Sequence, residues 1–428
     1  MKQIIENPRT GESYIKIKHP SGLDIYVKEM ENYSSAFALF GTKYGSVNNR
    51  FKTRDDSEWV DVPDGIAHYL EHKLFENEDC DAFARFSKTG ASANAYTSFD
   101  RTAYLFGAAD NIYESLEILL DFVQDPYFTE ATVAKEQGII GQEIRMYDDD
   151  PAWAVVFNLL KCIYHNHPVK VDIAGTVESI AKITPQLLYK CYGAFYNLNN
   201  MVLSVAGNVS ADKVLQVCAK TLKPNEDKGL EISFPPEPQS VAENFIEKTS
   251  EVTMPMFNIG YKAEPEYGKN KLRAEAETNI LLSMLCGPTS DLYESLYKDG
   301  LINSSFSSEV FDGPGYFCSI LGGESNNPKE LYVRINAAIE AAKREGLDMR
   351  DFEAIKKAYY GGLIRDLGKA ESYASLMMNS AFEGVGAYDI IDIVAAVTQK
   401  DITERLNRQF NTEKSALSII SVAGGEKQ

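Results

Sequence analysis

The chain has 428 residues, with 43 Lys plus Arg against 62 Asp plus Glu, so its formal charge is −19, and it carries only five histidines and six cysteines. A composition 44% hydrophobic and 25% charged is that of a folded globular protein and excludes disorder, while the acidic excess argues against nucleic acid, whose phosphates are held by clustered Lys and Arg. The length suits two or three domains whose cores need no disulfides.

In chain order, Met1 to Tyr14 is polar and mixed in charge, without the basic and then apolar run of a signal or transit peptide. No apolar run approaches the roughly 20 residues of a membrane helix, so a cytoplasmic protein with no membrane partner is expected. An alternating apolar segment, Ser35 to Tyr44, reads as a strand, Ile66 to Phe75 as a helix, Ala91 to Gly107 as a strand pair, Glu130 to Tyr147 as a helix, and Met201 to Gly207 as a β-rich close. Pro224 to Gln239, with prolines at 224, 235, 236 and 238, reads as a linker between a first domain, 1–223, and a second, 240–428. The order then repeats: strand Met254 to Tyr261, helix Ala274 to Cys286, strand pair Ser304 to Gly322, helix Asp351 to Leu367, and a close at Ala416 to Gly424 that shares the tripeptide Val-Ala-Gly with the first half. Cys80, Cys162, Cys191, Cys218, Cys286 and Cys318 are isolated and read as reduced core residues, without a thiol metal site.

A repeat of half the chain is too long for a solenoid and implies a duplicated domain. Sequential strands with helices grouped between them define the fold class as α+β: two homologous domains, each a mainly antiparallel sheet covered on one face by helices.

The histidines are few enough to weigh singly. His19, before Pro20 in a turn-like stretch, has no acid or second histidine beside it, and the pair His165 and His167 before Pro168 reads as a loop anchor. His68 and His72, in Ile66-Ala-His-Tyr-Leu-Glu-His-Lys-Leu-Phe75, lie four apart on one helical face, with Glu71 close to it; Pro63 and Asp64 make the helix start. Two imidazoles one turn apart suit Zn²⁺, and an adjacent unligated carboxylate is what an acidified water needs as proton acceptor. A third protein ligand is sought in Ala134 to Met146, where Glu136 and Glu143 stand two turns apart and Ile139, Ile140 and Ile144 supply packing positions. Alone these glutamates read as a solvated face; beside H-x-x-E-H, Glu143 becomes the preferred ligand.

These blocks resemble peptidase family M16, the pitrilysin, insulinase and mitochondrial-processing-peptidase group: H-x-x-E-H is its inverted zinc signature, and E-x6-E-I-x-M matches Glu136 to Met146. Gly90 to Tyr104 (GASANAYTSFDRTAY) and Phe195 to Gly207 (FYNLNNMVLSVAG) are similar to further family segments, and the resemblance covers both halves. It implies the family fold (M16, LuxS-metallohydrolase-like) and zinc-dependent peptide hydrolysis, with His68, His72 and Glu143 holding zinc, Glu71 as general base and Glu136 as the carboxylate that fixes ligand geometry. It also implies that a peptide substrate adds a strand along Ser92, Ala93, Asn94, Ala95, Tyr96 and Thr97.

The second half departs from the family pattern. Where members carry an arginine and, seven residues on, a tyrosine, the stretch Ser295 to Asn303 has neither in those places, and Lys356 and Leu363 stand opposite Glu136 and Glu143. A second zinc site is excluded there. The resemblance then implies the zinc-bearing subunit of a heterodimer whose M16-like partner lacks H-x-x-E-H and supplies the missing pair. The alternatives are a homodimer that finds its carbonyl-binding groups at Tyr293, Tyr297 or Tyr316, and a non-catalytic assembly or peptide-binding subunit.

Overall fold

A computed structural model of the chain describes residues 2–78 and 81–424, so Cys80 lies outside the described residues. The strands of the two main sheets are β1 (Lys2–Asn7), β2 (Glu12–Lys18), β3 (Asp24–Glu29), β4 (Ala36–Thr42), β5 (Ser92–Thr97), β6 (Thr102–Ala108), β7 (Met201–Gly207), β8 (Phe245–Ser250), β9 (Met256–Ala263), β10 (Ser307–Gly313), β11 (Tyr316–Glu324) and β12 (Ser415–Val422). The helices used below are α1 (Ile66–Leu74), α2 (Ala82–Thr89), α3 (Ile112–Val123), α4 (Glu130–Asp148), α5 (Pro151–Ile163), α6 (Gly268–Cys286), α7 (Asp291–Lys298), α8 (Phe352–Asp366) and α9 (Ala370–Phe382). No described helix is long and apolar enough to cross a membrane.

Two compact units result, and neither is one unbroken half of the sequence. The first comprises residues 1–144, 172–233 and 363–388; the second comprises 145–171, 234–362 and 389–428. Their sheets repeat one order. In the first unit it is β1-β2-β3-β7-β4-β6-β5, in the second β8-β12-β9-β11-β10; only β3 with β7 and β8 with β12 run parallel. The duplicated α+β architecture is therefore what the repeat implied, with β1 and β2 added to the first copy.

The expectation of one helix-covered face needs correction. In β4 and β7, Ala38, Phe40, Leu203 and Val205 join the core that contains α1 and α3. Their neighbours point the other way, against α9: Ser204 Oγ donates to Ala374 O at 2.7 Å, and a Cβ on Gly41 would lie 2.6 Å from Met378 Sδ. Both faces are thus apolar, which is why Met-Val-Leu-Ser-Val-Ala-Gly is buried at every position and shows no alternation. In the second unit the matching helix, α5, packs on β12, β9 and β8. Each sheet is completed by a helix from the other half of the chain.

The 224–239 stretch is tied down in both units. Glu231 and Ile232 pair with Lys52 and Phe51 in a small sheet of the first. In the second, Glu237 accepts the backbone N–H groups of His165, Asn166 and His167 at 2.7–2.9 Å and meets Lys262 Nζ at 2.6 Å. That buried ammonium also donates to Ile163 O, Pro238 O and Ser240 O. Burial alone would push the Glu237 pKa up, but Lys262 and the three N–H groups outweigh it and hold it at about 2. A carboxyl depressed in the folded state stabilises above its unfolded pKa, and that contribution is lost as pH falls toward 2. Glu237→Gln should cost about 3 kcal/mol at neutral pH by leaving the ammonium without its counter-charge, read as a lower urea midpoint. The difference from the parent should shrink as pH falls below 4; a pH-independent difference contradicts the pairing.

Candidate metal centre

Helix α1 begins at Ile66, where the sequence placed it. Its N-cap is Gly65 at φ +89°, a conformation that favours glycine, and a Cβ there would meet Ala174 O at 2.3 Å. Asp64 instead accepts the Asn49 side-chain amide at 3.0 Å. Ile66, Ala67, Tyr69, Leu70 and Leu74 face the core, so the polar edge of the helix presents His68 and His72. The Tyr69 hydroxyl donates to Val133 O on α4, which sets α4 beside α1. Val133, Ile140 and Ile144 anchor α4 in the core; Ile139, expected to pack, is instead 46% exposed.

This packing brings three of the sequence candidates together. One donor atom from each of His68, His72 and Glu143 lies within 4.8 Å of the others. His68 Nε2 stands 3.7 Å from Glu143 Oε1, and His72 Nε2 3.6 Å from Glu143 Oε2. Glu136, two turns back on the same face of α4, accepts from His72 Nδ1 at 3.0 Å, which leaves Nε2 with its lone pair turned toward Glu143. Glu71, only 8% exposed, accepts the Thr97 hydroxyl on Oε2 at 2.6 Å.

The two imidazoles sit in different electrostatic surroundings. Burial, with the nearby His72 charge, holds the His68 pKa down to about 3, so its ring is neutral at pH 7. Burial also lowers His72, but Glu136, Glu71 and Glu143 together outweigh it and raise its pKa. Glu71 is raised by burial, with Glu143 adding to the rise and Thr97 and His72 opposing it. An imidazole nitrogen that turns its lone pair toward a carboxylate oxygen 3.7 Å away repels it unless a positive charge lies between them. Tetrahedral bonds of about 2.1 Å would separate neighbouring donors by about 3.4 Å, close to the spacing found. Two imidazoles and one carboxylate with an open fourth position form the donor set of catalytic rather than structural zinc.

Beside these residues runs a cleft of 610 Å³ lined by Glu71, His72, Phe75, Phe83, Asn94 and Ala95, among others. Phe75 and Phe83 stack at 4.4 Å along it. Sequence reasoning missed both rings, because the aromatic spacing there is that of an ordinary core helix. Strand β5 ends its sheet. Ser98 N–H donates to Arg101 O at 2.8 Å and Thr97 sits opposite Thr102, so Ser92, Asn94 and Tyr96 spend their backbone groups on β6. Those of Ala93, Ala95 and Thr97 face the free edge. Consistently, the Ala95 N–H is taken by the neighbouring Asn94 Oδ1 at 2.9 Å.

Elsewhere the candidates separate. His19 bonds Ser21, and buried His167 caps a short helix through Val169 N and bonds Pro314 O at 2.9 Å; both are anchors. Lys356 on α8 donates to Val397 O. Among the described residues no second cluster of three such donors exists. Tyr293 and Tyr297 stack on α7, with Tyr297 53% exposed, whereas Tyr316 is buried against His167 and Phe311. Cys162, Cys191, Cys218, Cys286 and Cys318 are free and buried.

Comparison with known proteins fits this architecture. Residues 60–177 match the profile of insulinase (peptidase family M16), and residues 182–359 that of the peptidase M16 inactive domain. An uncharacterized zinc protease of Bacillus subtilis, YmfH, is 39% identical over 422 residues, 97% of this chain and 98% of the relative. The crystal structure of an M16-like peptidase from Alicyclobacillus acidocaldarius superimposes with a TM-score of 0.94 at 33% identity, over 98% of this chain and all of that one. A protease from Helicobacter pylori shares the fold at 22% identity, with a TM-score of 0.80 over 95% of this chain and 99% of that one. The chain belongs to peptidase family M16, and its function is of the M16 zinc-protease type.

Proposed function

We propose that the chain is a zinc-dependent endopeptidase of peptides bound as extended strands. The observation that carries this reading is the convergence of His68, His72 and Glu143 on one point with Glu71 beside it, held by the Thr97 hydroxyl. Zinc held there would supply Lewis acidity toward a scissile carbonyl and an acidified water. Glu71 would be the group that accepts a proton from the attacking water and returns it to the leaving amine. Glu136 holds His72 in the tautomer that offers Nε2. The edge-facing backbone groups of Ala93, Ala95 and Thr97 pair with the substrate, Asn94 Oδ1 giving up the Ala95 N–H, so main-chain bonds supply affinity.

No arginine stands in Ser295 to Asn303, so the donors opposite the zinc side come from an M16-like partner lacking H-x-x-E-H. The test is cleavage of a quenched fluorescent peptide by the chain alone and with such a partner, before and after chelation. Activity should vanish with the metal, return with zinc and rise at least about tenfold with the partner. Full activity of the chain alone removes the heterodimer from this reading. Activity that survives chelation removes zinc, and a metal-loaded pair without activity leaves the non-catalytic alternative.

A further inference from the structure

We infer that Thr97 is a positioning residue for Glu71, acting from the strand on which the substrate pairs; this rests on the peptidase reading above. A threonine hydroxyl has one proton to give. Thr102 Oγ1 gives its own to Tyr44 O at 2.8 Å and stands 3.2 Å from Thr97 Oγ1. Thr97 is therefore left to donate, and its choice lies between a neutral oxygen at 3.2 Å and the Glu71 carboxylate at 2.6 Å. The charged acceptor at the shorter distance wins. Oε2 of Glu71 is thereby engaged, and Oε1 is the oxygen left to take a proton.

The backbone of Thr97 lies between a fixed turn and an open edge. On the turn side, Ser46 N–H and Val47 N–H donate to Ser98 O and Phe99 O, and a Cβ on Gly45 would lie 2.4 Å from the backbone of Asp100. Arg101 grips both Asp100 carboxylate oxygens and bonds Asn379 on α9. On the open side, the Thr97 N–H and C=O face the edge where a substrate strand adds. A peptide long enough to pair there completes the restraint on Thr97, and through its hydroxyl on Glu71. Substrate seating and orientation of the base are then one event.

The test compares Thr97→Val, which keeps the shape and removes the donor, with Thr97→Ser, which keeps the donor. Thr97→Val should lower kcat about tenfold or more, the effect of losing a hydrogen bond to a charged group, with KM and bound zinc unchanged; Thr97→Ser should recover most of that loss. Lengthening the peptide along the edge should raise kcat in the parent and in Thr97→Ser, but not in Thr97→Val. An equal fall in both variants, or no fall in Thr97→Val, overturns the inference. High-resolution crystal structures of the zinc-loaded variants give a readout independent of turnover: Glu71 should keep a single rotamer in Thr97→Ser and turn or split in Thr97→Val. If the parent hydrolyses no peptide, the peptidase reading fails while the rotamers still decide whether Thr97 holds Glu71; an unmoved Glu71 in Thr97→Val refutes that hold.

Discussion

Glu71→Gln should lower kcat by about 10³-fold, within the range general acid–base catalysis contributes, while one zinc per chain is retained. The substitution changes one atom. Gln has the length of Glu, and its carbonyl can still accept the Thr97 hydroxyl that now reaches Glu71 Oε2 at 2.6 Å, so side-chain placement and α1 packing should survive. What it cannot do is take a proton. The three groups proposed to hold the metal are His68, His72 and Glu143, so metal stoichiometry should be indifferent to the change. Burial makes the effect large, because at 8% exposure few waters could substitute as proton acceptor. Single-turnover cleavage with parallel metal analysis checks it. Turnover within tenfold of the parent sinks the general-base role; zinc lost together with activity means that Glu71 is part of the ligand set.

Much of this site could be read from spacing, because its groups sit on two helices. The four-residue interval between His68 and His72 and the seven-residue interval between Glu136 and Glu143 each put their pair on one face, and α1 and α4 formed where the apolar periodicity placed them. Relations between elements were less visible. Nothing within Ala370–Phe382 says that this helix packs on β3, β4 and β7, and the all-buried β7 was a local clue that the second face is covered. The glycine at the N-cap of α1 answers to a contact more than 100 positions away, since Ala174 O leaves no room for a Cβ on Gly65. Thr97 was legible as part of the edge strand, but its bond to Glu71 crosses 26 residues and has no periodic signature. Ile139 carries the hydropathy of a core residue and faces the cleft instead.

The second large effect separates a ligand from the group that holds it. His72→Ala removes one of three donors, and since zinc sites with four ligands bind with about 10–16 kcal/mol, one donor is worth about 3 kcal/mol, or 10²- to 10³-fold in Kd. Glu136 touches the site only through His72 Nδ1 at 3.0 Å. Its loss leaves all three donors in place and removes what fixes the tautomer and orientation of one, an effect of about 10- to 100-fold. The choice of substitution refines this. Glu136→Gln keeps an acceptor for Nδ1–H and gives up only the charge, so it should sit near the lower end; Glu136→Leu leaves the imidazole free to rotate or change tautomer and should sit near the upper. Competition titrations with a chromophoric chelator should therefore rank zinc affinity as parent, Glu136→Gln, Glu136→Leu, His72→Ala, with near-ultraviolet circular dichroism unchanged across the series. If Glu136→Leu binds zinc as tightly as the parent, the bond to His72 does not prepare the ligand. If it binds as weakly as His72→Ala, Glu136 itself is a ligand and the assignment of Glu143 has to be reopened.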